Sequence, residues 1–260
     1  MTDCHIHIER GPYTLDWINK FINKAVEQGL SEIWLLEHSY RFIEFLPMYN
    51  DICANNSYIK TWLAKKGGVC NLSDYLHLID EVRNSELPIK IKFGLEICYF
   101  KNSEEFIGQL IKNKGFDFTI GSIHFIDHFA YDHKPEFWDG VDVDEAYKRY
   151  FETSIDLAKS RVFDGIAHPD CIKLYGHKPT FELTEYYNSL AAELAKSDMY
   201  AEQNSGSSRR TNAELGMSVE LIKAIKANKI RIITASDAHC PEDVGYKIRQ
   251  MEEISNATKE

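Results

Sequence analysis

The stretch Asp3-Cys4-His5-Ile6-His7 carries polar side chains at every second position. Successive side chains of a β-strand point to opposite faces, so this spacing predicts a strand over 2–8 with Asp3, His5 and His7 on one face. Two imidazoles and a carboxylate that converge from one strand suit a divalent ion such as zinc, manganese or iron. The alternative is an exposed strand face that happens to carry two histidines.

Short apolar runs alternate with amphipathic helical segments along the rest of the chain. The predicted strands are 2–8, 32–38, 89–97, 116–124, 162–168, 199–203 and 230–236. The predicted helices are 14–28, 73–84 (with Ser73 as its cap), 104–113, 142–160, 181–196, 217–227 and 241–255. Strict alternation of strand and helix predicts a parallel sheet, either an open doubly wound sheet or a closed barrel. No linker divides the chain, so one domain over 1–260 is expected.

Composition and charge indicate what the protein binds and where it is located. The 260 residues are 44% hydrophobic and carry a formal net charge of −10, which is typical of a globular protein. No basic block that would bind nucleic acid is present, and no apolar run approaches the roughly 20 residues of a membrane span. The N-terminus lacks a basic-then-apolar leader, and the 6 cysteines follow no paired pattern. These features predict a cytoplasmic protein with reduced thiols, and they leave its oligomeric state open.

Metal-binding residue types cluster at the predicted strand ends. These residues are His5, His7, His38, Glu96, His124, His168, Asp237 and His239. A parallel barrel places its active site at the carboxyl ends of its strands, so the pattern indicates one shared site rather than scattered surface histidines. Eight nitrogen and oxygen ligands are enough for two or three ions. Glu96 is the candidate bridge between two of them.

This ordered set of residues resembles the polymerase-and-histidinol-phosphatase (PHP) superfamily. The resemblance extends along the whole chain and implies a distorted (β/α)7 TIM-like barrel with a centre of two or three divalent ions. By position, it implies that His5, His7, Glu96 and Asp237 hold the first ion. It assigns Glu96, His124 and His168 to the second ion, and His38 and His239 to the third.

The sequence departs from the family pattern beside the third ion. The family commonly has a further histidine about six residues after the second histidine of the opening motif, and this chain has Tyr13 there. Either Glu9 replaces it, or the third site is weak or empty. Glu9 is equally well explained as a plain surface residue.

Within the family, the chain resembles histidinol-phosphate phosphatases. The resemblance implies hydrolysis of L-histidinol phosphate by a metal-bound hydroxide, with Glu96 and Asp237 as catalytic residues and Asp237 or a nearby histidine as the acid for the leaving oxygen. Arg209, Arg210 and Lys173 are candidates to bind phosphate, because guanidinium and ammonium groups pair with phosphoryl oxygens. The alternatives are another phosphoesterase of the family, acting on phosphotyrosine, a nucleotide or another small ester, and a metal-binding protein without catalysis.

The segment 39–71 is expected to be a long active-site loop. It follows the second strand and exceeds 30 residues, whereas loops between a strand and the next helix usually have about 2–6. Its aromatic residues and Glu44 are expected to cover the substrate, with Glu44 facing an amine.

Overall fold

Seven parallel strands and the helices between them form a barrel in the computed structural model, which describes residues 1–211 and 214–258. The strands follow chain order around the sheet: β1 (Thr2–His7), β2 (Glu32–His38), β3 (Lys90–Cys98), β4 (Phe118–Ser122), β5 (Gly165–Ile166), β6 (Tyr200–Asn204) and β7 (Ile232–Ala235). The predicted strands are therefore present, although β5 keeps only 2 residues. Each strand pairs with the next one in sequence. This order confirms the predicted (β/α)7 arrangement and excludes the alternative of an open doubly wound sheet.

Helices connect the strands. They are α1 (Leu15–Glu27), α2 (Asn50–Asn55), α3 (Ser57–Lys66), α4 (Leu72–Arg83), α5 (Glu104–Ile111), α6 (Val143–Ser160), α7 (Thr184–Lys196), α8 (Ser207–Arg210), α9 (Val219–Ala227) and α10 (Ile248–Ala257). The cap predicted for α4 is wrong. The N-cap is Asn71, two residues before Ser73, and it forms a reciprocal capping box with Asp74. No helix in the described ranges is long and apolar enough to cross a bilayer.

The segment 39–71 is largely helical. It contains two 3₁₀ turns (Ser39–Arg41 and Ile43–Tyr49) followed by α2 and α3. Phe45, Tyr49 and Ile59 are fully or almost fully buried, and they belong to the same hydrophobic core as the outward-facing residues of β2. The long loop predicted over 39–71 therefore contains helices, because its buried apolar residues pack into a compact unit.

The barrel closes between its first and last strands. The His7 N–H donates to the Ala238 carbonyl at 2.7 Å. The fully buried Asp3 carboxylate accepts the backbone N–H groups of Ser236 and Gly245, each at 2.8 Å. Asp3 therefore links β1 to the segment that follows β7, and its side chain does not face the histidines.

A β-bulge explains why Asp3 departs from the predicted face. Asp3 pairs with Ile33, but Ile6 pairs with Leu35, so β1 holds one extra residue between these points. Such an insertion reverses the alternation of side chains. Asp3 consequently lies in phase with the outer face of β2, whereas His7, the partner of Leu36, lies in phase with the interior.

Large and small side chains alternate inside the barrel. An apolar cluster fills the interior below the histidines and consists of Cys4, Trp34, Leu36, Phe118, Ile120, Ala167, Tyr200 and Ile233. Gly94 and Gly165 lie beside the rings of Phe118 and Tyr200, which a β-carbon at either position would overlap. The middle of the barrel is thus a packed apolar floor, and the histidine cluster lies above it at the carboxyl ends of the strands.

Candidate metal centre and substrate groove

Glu96 lies at the middle of a histidine cluster at the carboxyl ends of the strands. Its carboxylate is 1% exposed and lies within 3.5 Å of nitrogens from five histidines. These are His5 and His7 of β1, His38 of β2, His124 after β4 and His168 after β5. Parallel pairing brings them together, since the strands that carry them are neighbours in the sheet.

One set of ligand atoms has the spacing of a single ion site. The Nε2 atoms of His5 and His7 are 2.9 Å apart and lie 3.5 and 3.3 Å from Glu96 Oε2. Asp237 Oδ1 lies 3.7 and 3.6 Å from the same two nitrogens. Ligands of a tetrahedral zinc ion with bonds of about 2.0–2.1 Å are roughly 3.3 Å apart. The first predicted set is therefore brought together in the structure.

The second predicted set meets at the other oxygen of the same carboxylate. His124 Nε2 and His168 Nε2 each lie 3.0 Å from Glu96 Oε1. Since Oε2 faces His5 and His7, the Glu96 carboxylate joins the two sets. A carboxylate in this position could contact an ion in each set, which is the role expected of Glu96 from the sequence.

A third group forms around Glu9. Ligand atoms of His7, Glu9, His38 and His239 all lie within 4.8 Å of one another. Glu9 Oε1 is 2.8 Å from His239 Nδ1, and Glu9 Oε2 is 3.9 Å from His38 Nε2. The Tyr13 hydroxyl points elsewhere and lies 3.6 Å from Cys70 Sγ.

Polar atoms left without hydrogen-bond partners indicate that cations fit this centre. Glu9 Oε2, Glu96 Oε2 and His7 Nδ1 are buried and lack a hydrogen-bond partner within the described ranges. Buried polar atoms are rarely left unsatisfied, and imidazole nitrogens with carboxylate oxygens suit zinc, manganese or iron. The residues present therefore fit bound divalent ions.

Two further buried carboxylates orient the histidines. Glu202 Oε2 lies 2.9 Å from His5 Nδ1, and Asp132 Oδ2 lies 2.7 Å from His124 Nδ1. Such contacts fix the ring so that the other nitrogen faces a metal. The sequence analysis missed both residues. The run of polar residues Glu202-Gln203-Asn204 at the carboxyl end of a predicted strand was an available signal. Asp132 lies in an irregular segment without periodicity.

Neighbouring charges set the ionisation of the cluster. Burial by itself would raise the pKa of Glu96, but His38, His124 and His168 outweigh it and hold that pKa well below its usual range. Burial is likewise outweighed at Asp237, whose pKa is held low mainly by the charge of His5 and by His239. Both carboxylates are therefore ionised and available to cations.

Two site residues adopt a left-handed backbone. His168 has φ of 31° and Asp237 has φ of 56°. Non-glycine residues in this region cost roughly 1–3 kcal/mol and are concentrated at functional sites. Both residues lie just past short strands, where the chain turns the side chain back over the barrel mouth.

A groove runs across the centre in two halves, each with a volume of about 320 Å³. Six residues line both halves: His124, Asp132, His168, Arg210, Asp237 and His239. Three further cations, Arg10, Lys173 and Arg209, line the first half and join the shared Arg210 there. The second half contains aromatic rings of Tyr40, Tyr49, Tyr58, Trp62, Phe125 and His133.

The three cations predicted to bind phosphate all reach the first half, but they differ in freedom. Arg209 donates from both terminal nitrogens to the Ser236 and Asp237 carbonyls, at 2.6 and 2.5 Å. Lys173 lies 2.9 and 3.0 Å from the carboxylates of Asp170 and Glu214. Arg210 makes its described contacts, to the Asp132 carbonyl and the Tyr175 hydroxyl, through Nη2 alone.

Glu44 lies outside the groove. Both of its oxygens are 3.0 Å from the backbone N–H of Leu72, at the first turn of α4. It lines neither half of the groove. Its negative charge stabilises the N-terminus of that helix, so Glu44 is not placed to contact a substrate amine in the groove.

Comparison with known proteins gives a family and a fold. A family model described as the PHP domain matches residues 3–206. A relative from Deinococcus radiodurans named "Probable histidinol-phosphatase" is 23% identical, over 99% of this chain and 95% of its own length. The histidinol-phosphatase of Bacillus subtilis is 22% identical over 94% of this chain and 95% of its own length.

A solved structure has the same fold. It is the histidinol phosphate phosphatase of Lactococcus lactis, in complex with zinc, L-histidinol and phosphate. It superposes with a TM-score of 0.72 at 19% identity, covering 99% of this chain and 93% of the other.

Proposed function

Because the chain belongs to the PHP-domain family, it is a metal-dependent phosphoesterase, and we propose that it hydrolyses L-histidinol phosphate to L-histidinol and phosphate. The observation that carries this proposal is the divided groove, with cations on one side of the histidine cluster and aromatic rings on the other. Supporting the choice of substrate, the two relatives bear the histidinol-phosphatase name, and the Lactococcus lactis protein was crystallised with L-histidinol and phosphate.

The histidine cluster would hold two ions, and a third with the help of Glu9. His5, His7, Glu96 and Asp237 would hold the first ion, and Glu96, His124 and His168 the second. Ions bound there supply a lowered pKa of water and neutralise charge on the phosphoryl oxygens. Their identity among zinc, manganese and iron does not affect the assignment of ligands.

We assign the third ion to Glu9, His38 and His239, because His7 Nε2 belongs to the ligand set of the first ion. Glu9 takes the place of the histidine that the family usually has where this chain has Tyr13. The assignment is supported by the 2.8 Å contact between Glu9 and His239 and by the unpartnered, buried Glu9 Oε2.

Two side chains of the first half are placed to act on the phosphate. Arg210 retains Nη1 and Nε for phosphoryl oxygens, since its described contacts use Nη2. Asp237 also lines this half, and the sequence suggested it as the acid for the leaving oxygen. Its Oδ2, which lies 3.3 Å from Asn204 Nδ2, would take the proton of the attacking water and return it to the leaving alkoxide.

The second half would bind the histidinol part of the substrate. Tyr40, Trp62 and His133 meet edge to face with ring centroids 4.8 and 4.9 Å apart. Aromatic faces attract both an imidazole ring and an ammonium group. Asp132 Oδ1 is buried without a hydrogen-bond partner in the described structure and lines this half, so it would accept a hydrogen bond from either group.

The decisive experiment compares kcat/KM for L-histidinol phosphate with that for p-nitrophenyl phosphate in zinc- or manganese-loaded protein. We expect histidinol phosphate to be preferred by a factor of at least about 100, because only its leaving group fills the aromatic half. Equal values would refute the substrate and favour a broader phosphoesterase. No hydrolysis of any ester by metal-loaded protein would instead favour a metal-binding protein without catalysis.

A variant locates the preference within the groove. Trp62→Leu should raise KM for histidinol phosphate about 3- to 10-fold, the equivalent of one lost aromatic contact of about 0.5–1.5 kcal/mol. Its kcat/KM for p-nitrophenyl phosphate should change less than twofold. A proportional loss on both substrates would show that Trp62 supports the fold rather than the substrate.

A further inference from the structure

Arg10 is a cation of the first half of the groove that the sequence analysis did not identify. It follows β1 by three residues and lines the same cavity as His124, His168 and Asp237. Its guanidinium is exposed and has no hydrogen bond or ion pair with any residue of 1–211 or 214–258. The other cations of this half all have protein partners, so among the contacts of the described residues Arg10 alone keeps its full set of donors.

The backbone beneath Arg10 is fixed on both sides. The Trp17 indole N–H donates to the Ile8 carbonyl at 2.7 Å, and Gly11 packs so closely on that indole that a β-carbon would overlap it. Glu9 is held by its 2.8 Å contact with His239. A residue with an anchored backbone and an unpartnered guanidinium loses little backbone entropy when it binds an anion.

Charge balance indicates what that anion is. Lys173 is offset by Asp170 and Glu214, and Arg209 lies 3.5 Å from Asp243. These pairs leave Arg10 and Arg210 as the uncompensated positive groups beside the cluster. A guanidinium fork matches the geometry of two phosphoryl oxygens.

We propose that Arg10 binds the phosphoryl group of the substrate and the inorganic phosphate product. The inference rests on the proposed function, because it places a phosphate ester in this groove. It adds a residue for which the opening motif gave no signal, and it predicts that phosphate is bound from two elements, the turn after β1 and the helix α8.

The test measures binding of inorganic phosphate to zinc-loaded protein by titration calorimetry, so it does not depend on turnover. Arg10→Gln should raise the dissociation constant for phosphate about tenfold, in line with loss of a charge-assisted hydrogen bond. Arg10→Lys should fall between Arg10→Gln and the wild type, because it keeps the charge without the fork. Arg249→Gln is the matched control, since Arg249 of α10 is exposed and lines neither half of the groove.

The outcomes separate this inference from the proposed function. A phosphate dissociation constant within twofold of wild type in Arg10→Gln, with unchanged zinc content, would overturn the role of Arg10 even if histidinol phosphate is hydrolysed. Tenfold weaker binding in a protein that hydrolyses no ester would support Arg10 and refute the proposed function. Failure of the wild type to bind phosphate would overturn the role of Arg10. If Arg10→Gln loses zinc, Arg10→Lys is titrated instead. Phosphate binding weaker than wild type then supports the role of Arg10, and unchanged binding overturns it.

Discussion

Replacing Glu202 by Gln should weaken binding of the first ion without removing any of its ligands. Glu202 is fully buried, and its Oε2 lies 2.9 Å from His5 Nδ1. Glutamine keeps the shape and one acceptor but removes the charge. A hydrogen bond to a charged group contributes about 1.5–3 kcal/mol and a neutral one about 0.5–1.5, so the loss is roughly 1–1.5 kcal/mol. That loss corresponds to about a tenfold higher dissociation constant for the first ion. A tenfold effect is about the lower end of the usual range when a carboxylate that orients a metal ligand is replaced.

The same change has a separate cost in stability. Asn204 Nδ2 donates to Glu202 Oε1, and Asn204 Oδ1 accepts the Gly206 N–H at 2.7 Å, which holds the amide in that orientation. The amide group of a glutamine would therefore meet the Asn204 amide donor to donor. We expect the free energy of unfolding to fall by about 1–3 kcal/mol, the cost of a buried donor without a partner.

Competition against a chelator of known affinity measures how tightly the first ion is bound. Thermal unfolding of the metal-loaded protein measures the loss of stability. Glu220→Gln, on the exposed face of α9, is the control for loss of one negative charge. Metal affinity within twofold of wild type in a folded Glu202→Gln protein would refute the reasoning. An equal loss in Glu220→Gln would show that only the net charge matters.

Three further predictions concern the third ion and the barrel. Glu9→Gln should lower the ion content measured by mass spectrometry from three per chain to two while Glu96-linked ions remain; three retained ions would contradict the role of Glu9. Asp3→Ala should lower the free energy of unfolding by about 2–4 kcal/mol in denaturant titrations, because two buried N–H groups lose their acceptor; a loss below 1 kcal/mol would mean that Asp3 does not hold the barrel closed. Gly165→Ala should destabilise by about 1–3 kcal/mol, since its β-carbon would overlap Tyr200. Gly108→Ala, in α5 with open space around it, should be neutral or stabilising, and equal losses in the two variants would refute the packing argument.

The strand pattern and the positions of the histidines could be predicted because both follow local rules. Strand β2 has the predicted bounds, Glu32–His38, since an apolar run with a polar end leaves little choice. His38 and Glu96 meet because parallel strands bring their carboxyl ends to one edge, and the two residues are register partners. The (β/α)7 arrangement followed from the alternation and from the family resemblance.

Residues outside that periodicity could not be placed. Glu44 was expected at the substrate because it lies in a long segment after β2, but that segment folds into helices that turn Glu44 to Leu72. Asp132 was missed because an irregular segment has no periodicity from which to read direction. Arg10 was missed because an exposed arginine in a turn looks the same in sequence whether or not a cavity lies beside it.

The sequence by itself determined the order of strands and helices and the metal-binding residue types at the strand ends, because hydrophobic period and residue chemistry are local properties. Only the tertiary structure decided which polar residues face the centre. The bulge in β1 turns Asp3 outward to the barrel seam while His5 and His7 face inward. Packing also selected Glu202 and Asp132 as supports and left Arg10 without a partner among the residues that the structure describes. The physical reason is that such roles depend on distances between residues far apart in the chain, which one extra residue in a strand is enough to change.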